Sequence, residues 1–316
     1  MRIHLFNHYH NGDLFLNEPI IRNLCKNNSE HTFTMFCNSN SYIFKDIPNL
    51  TISLQNPYPN GSQFYYFSSD ILVINIWVYA LSLCENITTF NLSQLECNLP
   101  NYVIGFKRML EYIYVNHKIK INFDDFSEDI YLPNVPDTDI SKFINWNNNR
   151  INSNPNQKII FYYNYIPKSF QTISSEDHDR LIINLAEYFS NYIFIIPKFS
   201  EIMHNYINNK DKDSSNIISC EEKFNCIEDI TCENLCKIQK IIENCDYSIH
   251  YDVGACFYYC NKSTITSKNI PINISINSFY YNNLTSISLS IKNKTKLLIA
   301  NNNNEAYLKL KDTISN

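Results

Sequence analysis

Glycine is almost missing from this chain: four occur in 316 residues, at positions 12, 61, 105 and 254. No Walker phosphate loop, no His-Glu-x-x-His and no Gly-x-Ser-x-Gly is present. Those absences weigh against an ATPase, a zinc protease and a serine hydrolase. Basic charge is not in excess, since 26 Lys and Arg stand against 31 Asp and Glu for a net charge of −5. A protein held on nucleic acid by phosphate contacts shows the opposite balance, so no nucleic-acid partner is expected. No apolar run reaches the roughly 18 residues of a membrane span; the nearest, Ile71 to Leu83, is too short. The first strand begins almost at Met1 and leaves no room for a secretion signal. A soluble, cytoplasmic protein is therefore expected, and sequons such as Asn86-Ile87-Thr88 and Asn293-Lys294-Thr295 carry little weight. Asp-x-Asp metal signatures are lacking too: Asp124-Asp125 has the wrong spacing, and Asp137-Thr138-Asp139 follows a proline in an inter-element loop.

What is present can fill a core. Hydrophobic residues make up 44% and charged residues 18%, and the length suits two domains of roughly 150 residues each. The 23 tyrosines and 20 phenylalanines, with abundant asparagine, isoleucine and lysine, read first as AT-rich coding and second as a stacking surface. Eleven cysteines occur, seven of them from Cys220 to Cys260. Cys232/Cys236 and Cys256/Cys260 are spaced i, i+4 on expected helices, and no Cys-x2-Cys pair is found. Zinc sites favour close cysteine pairs on turns, whereas a reduced chain uses cysteine as a small buried apolar residue. The second reading is preferred, and no metal is expected.

Strand and helix patterns alternate in two blocks. Residues 2–7 read as a strand and Leu14 to Lys26 as a helix, with Pro19 delaying or kinking it. Further strands are expected at His31–Phe36, Leu50–Leu54 and Ile71–Trp77, then a helix from Asn101 to Val115. Hydrophobicity collapses over residues 150–157, the best linker candidate. Beyond it, strands are expected at Lys158–Tyr163, Tyr192–Ile196, Asn216–Cys220, Asp246–His250 and Ile270–Ile276. Helices are expected from Ser174 to about Asn191, Thr231 to Glu243, Gly254 to Asn261 and Glu305 to Thr313, the first opened by a capping box of Ser174 and Asp177. Alternation of this kind implies parallel sheets with ligands at the carboxyl ends of the strands. Gly12 and Gly254 lie at two such ends, one per block, each ahead of a helix start whose free N–H groups favour an anion.

Two segments carry a resemblance. Asn11-Gly12-Asp13-Leu14-Phe15-Leu16-Asn17-Glu18-Pro19 resembles the first strand-to-helix junction of heptosyltransferase-like enzymes of glycosyltransferase family 9. Ile242-Glu243-Asn244-Cys245-Asp246-Tyr247-Ser248-Ile249-His250-Tyr251-Asp252-Val253-Gly254 is similar to their donor-site half, where a buried strand runs into an Asp-x-Gly turn. Ile74-Asn75-Ile76-Trp77 also looks like a motif of AT-rich relatives. After Gly254 the chain has Ala255-Cys256-Phe257-Tyr258-Tyr259 in place of the family's His and small-residue run. The resemblance implies an α/β chain of two Rossmann-like lobes with parallel sheets facing a central cleft, the GT-B type. Residues 1–150 would bind the acceptor and 151–316 the nucleotide sugar, and the last helix could pack back on the first lobe.

The same resemblance implies a transfer of sugar from a nucleotide diphosphate to a glycan or other hydroxyl, inverting and metal-independent, with no cofactor beyond the substrates. Asp13 matches the catalytic aspartate that takes the acceptor's proton; read by itself, it is equally a helix N-cap. His8, His10, Asn11, Gly12 and Asn75 would surround it on the acceptor side, although the two histidines read equally as polar loop groups. Lys168 resembles the basic residue that approaches the phosphates, against a solvated loop lysine. Gly254, Ala255 and Cys256 would offer backbone N–H groups to the diphosphate. Asp252 would orient that turn, and Glu221 or Glu222 would accept from ribose hydroxyls. A catalytically inactive relative that binds a sugar nucleotide or a protein stays open as the alternative.

Overall fold

The computed structural model describes residues 1–7, 11–37, 41–55, 57–58, 65–76, 101–123, 140–164, 174–209, 215–227, 232–251, 266–276 and 294–316. They fall into two compact units, divided between Pro133 and Asn134. Among the described residues no helix is long and apolar enough to cross a membrane.

In the first unit, Ile3 and Leu5 alternate with His4 and Phe6 along β1 (Arg2–Asn7), and all but His4 are buried. Helix α1 (Asn11–Asn27) follows, then β2 (Thr32–Cys37), a 3-10 turn at Ser41–Phe44, β3 (Leu50–Ser53), β4 (Tyr65–Ser68), β5 (Ile71–Asn75) and α2 (Asn101–His117). The sheet order is β3-β2-β1-β5-β4. Strands β1, β2, β3 and β5 run parallel, and β4 closes the edge as an antiparallel hairpin with β5. Helix α1 starts at Asn11 and continues through Pro19, rather than waiting for it. A proline inside a helix costs about 3 kcal/mol, but Leu14, Ile20, Ile21 and Leu24 are all buried on one face. Each is worth roughly 1.5–3 kcal/mol, so tertiary packing outweighs the lost hydrogen bond.

The second unit begins with α3 (Ser141–Ser153), and the polar stretch 150–157 lies at its end and in the turn that follows. Arg150 is buried there, with Nε and Nη2 donating to Asn147 Oδ1 at 3.1 and 3.0 Å and Nη1 donating to the Gln157 carbonyl. The drop in hydrophobicity is thus a helix terminus pinned by a buried guanidinium. Strand β6 (Ile159–Tyr162) leads to α4 (Ser175–Tyr188), β7 (Ile193–Ile196), α5 (Glu201–Asn209), β8 (Ile217–Ser219), α6 (Cys220–Phe224), α7 (Cys232–Ile242) and β9 (Tyr247–Tyr251). Strands β10 (Ile270–Ile276) and β11 (Lys296–Ala300) precede the terminal helix α8 (Asn303–Ser315). Helix α8 buries Ala306, Leu310 and Ile314 in the core formed with α4 of this same unit, where the sequence left open a return to the first lobe.

All strands of this sheet are parallel, in the order β11-β10-β9-β6-β7-β8. Counted within the unit that is 6-5-4-1-2-3, the doubly wound Rossmann order. Its strand order reverses between β6 and β9, and ligands of open α/β sheets bind outside the carboxyl ends of the strands at that point.

Candidate functional site

Strands β6 and β9 flank the reversal, and each ends in tyrosine. Register pairs Tyr162 with Ile249, so Tyr162 and Tyr251 project from one face, two residues apart along the strand direction. Helix α4 covers that face and places His178 over both. Tyr162 Oη and His178 Nδ1 are 2.9 Å apart. The His178 ring meets Tyr251 edge-on, with centroids 4.5 Å apart at 74°. All three side chains are buried. Burial pushes His178 down to about 4 and raises both phenols, so the trio is neutral at pH 7.

A second group of contacts laces the ends of β6, β7 and β8. Asn164 Nδ2 donates to the Lys198 carbonyl at 2.9 Å, and Lys198 Nζ meets Glu221 Oε1 at 2.9 Å. The Glu221 amide donates to the Pro197 carbonyl at 3.1 Å. Glu221 and Glu222 stand in the first turn of α6, where Ser219 caps the helix by accepting from the Glu222 amide. The two glutamates thus sit on a short helix, because serine at a strand end is a good N-cap. Glu222 lies 3.3 Å from His204.

The N-terminus of α4 presents the opposite of an anion site. Ser174 Oγ accepts from the Asp177 amide at 3.1 Å and donates to Asp177 Oδ2 at 2.7 Å, the reciprocal cap expected from sequence. That hydroxyl holds Asp177 below the usual carboxylate range. Glu176 shares the first turn, and Asp179 follows, hydrogen-bonded by Ser200. These carboxylates already complement the positive helix end.

In the first unit the corresponding reversal lies between β1 and β5. Buried amides crowd it: Asn7 and Asn75 at the strand ends, and Asn17 on α1. Asn17 Nδ2 donates to the Ile76 carbonyl, and the Ile76 amide donates to the Phe6 carbonyl at 3.0 Å. Asn75 pairs with Phe6 in the register and shares its face. Glu18, fully buried, is paired with Arg22, whose other nitrogens hold Asp46 at 3.0 and 3.1 Å. Among the described residues of either unit, no group of three or more His, Cys, Asp or Glu gathers to hold a metal.

No protein-family model matches the chain, and no curated protein matches it. Solved structures do. The E. coli heptosyltransferase WaaC with ADP aligns over 100% of this chain and 99% of its own, at 10% identity and a TM-score of 0.51. In fold, the chain is similar to the family 9 heptosyltransferases. A glycosyltransferase of family 9 from Veillonella parvula aligns over 95% of this chain and 86% of its own, at 10% identity and a TM-score of 0.47. For the E. coli ADP-heptose LPS heptosyltransferase II the values are 100%, 99%, 8% and 0.47. The class expected from sequence, an α/β chain of GT-B type with two largely parallel sheets, is the class observed.

Within this heptosyltransferase-like fold, Asn11, Gly12 and Asp13 are the first three residues of α1, the helix that follows β1 in the chain. Asp13 is thus inside the helix rather than at its N-cap. Asn75 closes β5, and Glu221 and Glu222 open α6 after β8. His8, His10, Lys168, Asp252, Gly254, Ala255 and Cys256 lie outside the described residues. Sequence reasoning missed Lys198, Asn164, His178 and the two strand-end tyrosines. Lys198 carried a usable signal: with Pro197 it directly follows the strand expected at Tyr192–Ile196.

Proposed function

We propose that this chain is a glycosyltransferase moving a sugar from a nucleotide-diphosphate donor to a glycan or other hydroxyl acceptor. The observation that carries the reading is the complete 3-2-1-4-5-6 order of the second sheet, with its reversal point at the ends of β6 and β9. That is where such a fold receives a nucleotide. The heptosyltransferase of similar fold was solved with ADP, a nucleoside diphosphate. The acidic, self-capped start of α4 disfavours a diphosphate, and the segment that follows β9, with Asp252 and Gly254, would take it instead. Lys168 would add positive charge, and Gly254, Ala255 and Cys256 would add backbone N–H donors. Glu221, held by Lys198, would accept from the ribose.

Domains would follow the expected division of labour, acceptor in the first unit and donor in the second. The acceptor oxygen attacks the anomeric carbon, the bond from that carbon to the diphosphate oxygen breaks, and Asp13 takes the acceptor's proton. Single displacement inverts the anomeric centre. No metal and no cofactor enter this scheme, and the location would be cytoplasmic. One sequence feature favours a second reading, a nucleotide-sugar-binding or protein-binding relative without turnover: the bulky Phe257-Tyr258-Tyr259 after the donor turn.

A thermal-shift panel of nucleoside diphosphates and their sugars tests the reading, since a ligand of the folded state raises the melting temperature with occupancy. Stabilisation by at least one nucleoside diphosphate is expected, and silence across the panel would overturn the transferase reading. Sugar release that disappears in Asp13→Asn, with binding kept, separates an enzyme from a binder.

A further inference from the structure

The apolar face of the second sheet is built from Ile160, Ile249, Ile272 and Ile274 against Leu181, Ile182 and Leu185 of α4, all buried. Two phenols and one imidazole interrupt it at the carboxyl end. A buried hydroxyl or imidazole must be desolvated, and its hydrogen bond returns only part of that loss. Leucines there would fold as well or better. Polar groups of this kind are better explained by the geometry they enforce than by stability.

The geometry in question is specific. Tyr162 is the last residue of β6 and Tyr251 the last of β9. The final rung between the strands is the Tyr163 amide donating to the Ile249 carbonyl at 3.0 Å. One side chain, His178, contacts both strand-end tyrosines, by a hydrogen bond to one and an edge-on ring contact to the other. Its helix is fixed in turn, because the neighbouring Asp179 accepts from Ser200 at the start of α5. Ser200 also caps α5 by accepting from the Met203 amide at 3.1 Å.

We propose that His178 is a positioning residue that fixes the ends of β6 and β9, and with them the place where the diphosphate group binds. The role requires the hydrogen-bonding nitrogen at the Nδ1 position, beyond the volume of the ring. This assignment rests on the donor-site reading above, so its test needs one arm that does not.

Three variants of the full chain separate the possibilities. His178→Phe keeps the ring and deletes the nitrogen. His178→Asn keeps a polar atom near Nδ1 and gives up the ring. Tyr162→Phe deletes the hydroxyl alone and is the variant least able to disturb folding. Affinity for whichever nucleoside diphosphate stabilises the wild type is measured by calorimetry. His178→Phe and Tyr162→Phe are expected to weaken it about tenfold or more, and His178→Asn to stay within about threefold, because a charge-free hydrogen bond is worth on the order of one decade. Packing alone predicts the reverse order, and that result, or equal affinities throughout, overturns the proposal. Hydrogen exchange over residues 159–164 in the ligand-free protein is the independent arm. Faster exchange at Tyr163 in His178→Phe and Tyr162→Phe, but not in His178→Asn, supports the role even if no nucleotide binds the wild type. Unchanged exchange in all three removes it.

Discussion

The two sheets finish their central strands in different chemistry. At the β1/β5 reversal the buried polar groups are amides: Asn7, Asn17 and Asn75. On the face of the β6/β9 reversal that α4 covers they are two phenols and an imidazole. Amides do not titrate, so their hydrogen bonds hold the first unit's strand ends alike across the physiological pH range. An imidazole buried as the neutral form does titrate, and protonating it in place means charging an apolar core. The difference suggests two tolerances at the strand ends: amide contacts in the first unit that do not respond to acid, and a histidine-centred cluster in the second that loosens in it.

The largest expected effect tests the functional half of that comparison. Asp13→Asn should lower turnover about 100- to 10,000-fold, the usual contribution of a positioned general base. Nucleotide affinity, assigned to the other unit, should remain within about twofold. Steady-state sugar release and calorimetric titration on the same preparation read the two quantities. A joint fall in both would break the division between the units.

Acid stability comes next. His178 sits at about 4 in the folded state, against an ordinary 6.5, so the unfolded chain binds its proton first. Stability is then full above about pH 6.5 and falls as the pH drops towards 4, by about 3 kcal/mol from this residue at the upper limit. His250 on β9, also buried and shifted down, adds to the same slope. Urea denaturation at pH 4.5 and 7.5 should show a smaller difference for His178→Phe than for the wild type. An equal difference would mean that His178 does not carry the titration.

The matching experiment in the first unit is Asn17→Leu. It removes the donor to the Ile76 carbonyl in a fully buried setting. A loss of about 1–3 kcal/mol follows from leaving a buried acceptor short of a donor. The same loss should appear at pH 4.5 and 7.5, because nothing in the exchange titrates. A pH-dependent loss would erase the contrast drawn between the two units.

Much of this framework was visible in the residues, and the failures have physical causes. Strands β5, β6 and β7 read directly, since parallel strands covered on both faces appear as near-continuous apolar runs; β10, an alternation of isoleucine with Pro271, Asn273 and Ser275, was placed to the residue at Ile270–Ile276. Helix α3 was not seen. Its buried residues are Phe143, Asn147 and Arg150, two of them polar, so apolar periodicity had little to detect. Helix α5 buries only Met203 and Ile207. Strands β4 and β11 were not seen either; both lie at sheet edges, as do β3 and β8, which were. At the site, Glu221 and Asn75 could be named because they end or follow recognisable strands. His178 could not. Its partners lie 16 residues before it and 73 after it, and among 23 tyrosines nothing singles out those two.

The smallest expected effect addresses where the diphosphate sits. Arg180 pairs with Glu176 on the exposed side of α4, with side chains 69% and 54% accessible. A surface pair at i, i+4 is worth a few tenths of a kcal/mol, so Arg180→Ala should change unfolding free energy by less than about 0.5 kcal/mol. Its electrostatic consequence is more informative than its stability. Losing Arg180 leaves Glu176, Asp177 and Asp179 with one cation fewer beside the helix start. If a diphosphate used the α4 N-terminus, that change would weaken nucleotide binding, and the weakening would shrink with added salt as charges are screened. If it uses the turn after β9, affinity should match the wild type at low and high salt alike. Unchanged affinity is the expected result, because carboxylates in the first turn already occupy the favourable end of the α4 dipole.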